Sequence, residues 1–182
     1  MTPTDLAEFT NAIVNMAKSA KSALCAATGG PADSPPVMLW HGKGEIEIVA
    51  LPMPSADEAE MTAPALLDSA LRQGFIDFGK PEYVAFISEA YMRTAISEED
   101  AKSVKRGDMQ KAFQSGFTTD INEIISIVTF TPEGASRHSV VIVRYGDDGM
   151  PEFENYFQGE EGRVGGAIMD VVSGFVKFVN AE

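Results

Sequence analysis

Cysteine and histidine are nearly absent from this chain: Cys25 stands alone, and His41 and His138 are the only histidines among 182 residues. A single cysteine cannot close an internal disulfide, which excludes a disulfide-stapled scaffold and points to the cytoplasm. The opening Met-Thr-Pro-Thr-Asp-Leu-Ala-Glu lacks the basic and apolar regions of a signal peptide. No stretch approaches the roughly 18 uninterrupted apolar residues that a membrane-spanning helix needs. Cations are scarce as well, with 14 Lys and Arg against 27 Asp and Glu, a formal charge of −13. That balance repels phosphate backbones and anionic lipids, so neither nucleic acid nor membrane is an expected ligand. It suits a cationic partner, high solubility, or an acidic mimic of nucleic acid. Nucleotide-binding and hydrolase signatures are missing too: there is no Gly-x-Ser-x-Gly elbow, Walker loop or Rossmann fingerprint, and no HxH, HxxxH or HExxH spacing.

What is present is an apolar scaffold. A hydrophobic content of 45% over this length supports one well-buried core, read as a single domain over residues 1–182. Leu6, Phe9, Ile13, Met16, Ala17, Ala20 and Leu24 recur at helical spacing, with Thr4 as the expected N-cap and Gly29-Gly30-Pro31 as the stop. Cys25, near the end of this helix, reads as a small packing residue. After a proline-rich connector, Val37 to Trp40 and Glu45 to Leu51 flank a glycine turn that includes His41, and so form a hairpin. Ile46, Ile48 and Ala50 alternate with Glu45, Glu47 and Val49, which implies one buried and one partly wet face near a sheet edge.

Pro64 belongs to the first turn of a second helix, whose buried stripe is Leu66, Leu67, Ala70, Leu71 and Phe75, and which ends at Gly74 or Gly79. From Tyr83 to Met92 both alternating faces are largely apolar, the pattern of a central strand covered twice. Strands over Ile121 to Thr131, Ser139 to Tyr145 and Glu152 to Phe157 follow across short turns. A closing helix carries Val164, Ile168, Val171, Val172, Phe175, Phe178 and Val179, with Gly165, Gly166 and Gly174 available for close packing. Short turns require antiparallel neighbours, so the class is α+β: a single antiparallel sheet of about six strands covered by three helices. The order is similar to roadblock, profilin-like or secretion-chaperone arrangements, and a partly helical loop at about 94–120 is inserted into it.

The stretch Tyr83-Val-Ala-Phe-Ile-Ser-Glu-Ala-Tyr-Met-Arg93, with the strand at Ile121 and the hairpin to Tyr145, resembles a group of uncharacterised proteins from phages, plasmids and environmental sequence. The resemblance covers about the C-terminal half. It implies a bacterial or mobile-element origin and transfers no activity.

Four constellations are weighed for function. Glu89 follows Ile87 on an apolar strand, where an unpaired charge is costly, so it needs a partner; Arg144 or Arg93 across the sheet is the structural choice. If Glu89 instead opens on a pocket with His41 or His138, a hydrolytic or ligand-binding site becomes credible. With Glu45 and Glu47 beside it, His41 joins His138 in a carboxylate-imidazole metal site only if the fold brings the two together; the plainer reading is a turn histidine and a strand-end histidine, with no metal and no cofactor. Gly159 to Gly166 precedes a helix, but Glu160 and Glu161 would repel a phosphate there. The inserted loop gathers Arg93, Lys102, Lys105, Arg106 and Lys111, a partner-binding surface or a plain surface excursion. The expectation is a non-enzymatic adaptor that binds a protein partner or itself, as a homodimer. The alternative is a small-molecule or metal-dependent enzyme using His41, Glu89 and His138.

Overall fold

The computed structural model describes residues 5–42, 45–51, 59–92, 97, 99, 121–158 and 167–180. In chain order the elements are α1 (Leu6–Thr28), β1 (Val37–Gly42), β2 (Glu45–Ala50), α2 (Ala59–Phe78), β3 (Tyr83–Met92), β4 (Asn122–Phe130), β5 (Ser136–Tyr145), β6 (Pro151–Gln158) and α3 (Ala167–Val179). The six strands form one open sheet in the order β2-β1-β3-β4-β5-β6, and every neighbouring pair is antiparallel. This is the expected α+β class, with, among the described residues, one helix on the first face of the sheet and two on the second.

Strand alternation divides the core in two. On the first face, Phe9, Ile13, Val14 and Ala17 of α1 pack on Leu39, Ala85, Ile125, Ile127, Val141 and Val143. On the second, Leu67 and Leu71 of α2 and Val172, Phe175 and Val179 of α3 enclose Met38, Trp40, Val84 and Phe130. β3 contributes Ala85 to one core and Val84 to the other, as its doubly apolar sequence predicts. Gly74 lets α2 approach this far: a Cβ there would lie 2.9 Å from the Trp40 ring.

Several local expectations are corrected. Asp5, not Thr4, caps α1, its carboxylate accepting from the Glu8 N–H at 2.8 Å. At the other end Gly29 adopts the left-handed conformation that closes the helix (φ 77°). α2 begins at Ala59 and carries Pro64 in its second turn, where the missing N–H costs one backbone bond close to an end whose first donors have no partner anyway. It ends at Gly79, while Gly74 lies inside it. β1 runs on through His41, so this histidine belongs to a strand, not the turn. His138 is likewise inside β5, two residues past its start.

Ile46 and Ile48, expected inward, are 46% and 65% exposed. β2 is the outermost strand, and α1 makes its main contacts with β3 to β6. A Cβ on Gly174 would meet nothing within 4 Å, so this glycine makes no close contact. The basic residues Arg93, Lys102, Lys105, Arg106 and Lys111, the glycine-rich stretch 159–166 and most of the 94–120 insertion lie outside the described residues.

Candidate functional site

The first face of the sheet carries a buried charge network at one end of α1. Lys21 occupies the same helical stripe as Ala17 and Cys25, spaced four residues apart, and is only 1% exposed. Its Nζ lies 2.8 Å from Glu89 Oε2 on β3, 2.8 Å from Glu123 Oε1 on β4, and 2.7 Å from the Ala32 carbonyl in the α1–β1 connector. An ammonium has three N–H donors, and here each has an acceptor.

The surrounding groups complete the network. Tyr145 donates its hydroxyl to Glu123 Oε1 at 2.8 Å, and the Ser34 N–H donates to Glu89 Oε2 at 3.1 Å. Burial works to lower the Lys21 pKa, but its interactions with Glu123, Glu89 and the nearby Tyr145 together outweigh it and raise it, keeping the ammonium charged. Burial and the bond to Glu123 push the Tyr145 phenol up to about 12. A lysine held this firmly protonated is no nucleophile. Carboxylate oxygens of Asp33, Glu89 and Glu123 lie within 4.8 Å of one another. The Lys21 ammonium bridges two of these groups and supplies the charge compensation a cation provides in a metal centre.

Glu89 thus has a structural partner, as expected, but on a helix, not across the sheet. Arg144 instead faces Glu154 at 3.1 Å, both exposed. Lys21 itself went unrecognised in the sequence. Its signal was a lysine in register with the apolar stripe, a position that calls for an opposite charge beneath the helix.

His41, Glu89 and His138 do not converge. His41 pairs with Tyr83 and lies on the first face against the mutually stacked rings of Phe9 and Tyr83, at 5.8 and 5.7 Å. Its Nδ1 is 3.2 Å from Glu82 Oε2 without hydrogen-bond geometry. Six residue steps along β3, roughly 20 Å at about 3.3 Å each, separate Tyr83 from Glu89. His138 lies on the opposite face, with its Nε2 2.9 Å from Ser126 Oγ. Burial lowers its pKa. No common substrate position connects the three.

Beside the network, an apolar groove of about 220 Å³ opens between α1 and β2. Met16, Ala17, Ala20, Val37, Leu39, Ile48, Ile87 and Ile125 line it, and Ser34 and Glu89 mark its polar end. A second hollow shares Ser34, Ser88 and Glu89 with it and adds Asp33, Tyr91 and Glu123. Ile48 forms the groove's outer wall, on an exposed strand whose only strand partner among the described residues is β1.

Fold and site together define an α+β protein with a three-layer body, a saturated buried ion network and an open apolar groove at a sheet edge. No protein-family model, no curated protein and no solved structure matches the chain. No helix among the described residues is long and apolar enough to cross a membrane.

Proposed function

We propose that this protein is a non-enzymatic, cytoplasmic binding module of the adaptor kind, which docks a protein partner in the groove between α1 and β2. The observation that carries this reading is Ile48, 65% exposed at the rim of an apolar groove on the outermost strand. Contiguous exposed apolar surface of this sort marks interaction sites. The polar groups next to it favour binding over turnover. Lys21 is saturated, Glu89 is held by Lys21 and Ser34, and neither histidine reaches them.

Affinity capture from lysate of the native host tests the reading, with wild type compared to Ile48→Asp. A stoichiometric protein recovered with wild type and absent with a folded Ile48→Asp variant is the expected result. Equal recovery with both proteins, or a turnover activity abolished by Glu89→Gln and His41→Ala in folded protein, refutes it.

A further inference from the structure

We infer that the occupant of this edge is an extended segment of a protein partner, alternating apolar and basic residues, which adds to the sheet as a strand beside β2. This rests on the docking reading above and specifies what docks. The two faces of β2 differ in chemistry. Ile46 and Ile48 pair with His41 and Leu39 and share their face, the face of the groove. Glu45 and Glu47 pair with Gly42 and Trp40 and project from the opposite face. All four residues from Glu45 to Ile48 are exposed.

A strand hydrogen-bonded to the outer edge of β2, unpaired among the described residues, places alternate side chains on alternate faces. Those on the first face meet Ile46, Ile48 and the groove mouth, an apolar environment. Those on the second face meet Glu45 and Glu47, where a cation is favoured and an anion is repelled. The period of two in β2 therefore dictates a period of two in its ligand. A second copy of this chain fits poorly: it would bring Glu45 and Glu47 against another acidic strand and bring together two molecules of charge −13 each.

The test is selection of random dodecapeptides displayed on phage against the intact protein. Selections on Ile48→Asp, on the double variant Glu45→Lys/Glu47→Lys, and on Ile76→Asp run in parallel, Ile76 being an exposed control on α2. Circular dichroism confirms the fold of each. Wild type and Ile76→Asp are expected to enrich peptides that alternate apolar with Lys or Arg. Ile48→Asp should bind the enriched peptides about tenfold or more weakly. The double lysine variant should switch the enriched charge from basic to acidic.

Peptides that need Ile48 but show neither alternation nor basic residues overturn the inference and leave the docking reading standing. Enrichment indifferent to Ile48, or no enrichment at all, overturns both. A stable dimer of wild type in sedimentation, lost in Ile48→Asp, assigns the edge to a second copy and also overturns the inference.

Discussion

Lys21 Nζ sits 2.8 Å from Glu89 Oε2, joining two residues 68 positions apart in the chain and fastening α1 to the centre of the sheet. A buried ion pair of this kind stabilises little compared with a well-packed apolar substitute, because both charges lose their water. Breaking it is another matter, since the survivor is left buried and uncompensated.

Lys21→Met should therefore destabilise the fold by about 3 kcal/mol, leaving Glu89 and Glu123 to repel each other. Adding Glu89→Gln and Glu123→Gln should recover part of that loss. Urea unfolding of the single and triple variants measures both, and a single variant as stable as wild type would show the network to be dispensable.

Alkaline pH should loosen the same region. The Tyr145 phenol is pushed up to about 12 in the folded protein, by burial first and by its bond to Glu123 second, whereas an unfolded tyrosine titrates near 10. Between those values the unfolded chain has released a proton that the folded one keeps. The stability this contributes is complete below about pH 10 and is lost as pH rises through about 12. Lys21, whose pKa is also raised, acts in the same direction. Urea midpoints on both sides of pH 10 should fall with rising pH, and Tyr145→Phe should fall less steeply.

Gly74→Ala sets helix propensity against packing. Alanine favours a helix interior by about 1 kcal/mol, but the new Cβ would stand 2.9 Å from the buried Trp40 ring. Overpacking a rigid core costs about 1–3 kcal/mol, so the substitution should be net destabilising. Trp40 is the sole tryptophan, and its fluorescence spectrum should shift in the variant. An unchanged spectrum with raised stability would mean that α2 moves away freely.

Ile48→Asp should leave the fold intact. A side chain already 65% exposed contributes little burial, so the change should stay within about 1 kcal/mol by thermal or urea unfolding. A larger loss would assign Ile48 to the core and remove it from the docking surface.

The sequence by itself determined the elements and their class. The apolar run from Tyr83 to Met92 announced a central strand, although its coverage on both faces holds only in the first half and Ala90 and Tyr91 are exposed; the short turns dictated antiparallel neighbours, and the helical periodicity at both ends placed the covering helices. These signals are local, because a period of 3.6 or 2 is written within a dozen residues. Only the tertiary structure decided which charges meet and which apolar residues stay wet. Lys21 is polar wherever it is read alone, and becomes a core residue because β3 and β4 carry Glu89 and Glu123 beneath it. Ile46 and Ile48 alternate like any half-buried strand, and remain exposed because α1 packs mainly on β3 to β6 and leaves most of the outermost strand uncovered. Both outcomes depend on how far one helix extends across a sheet, a distance set by contacts between segments remote in the chain.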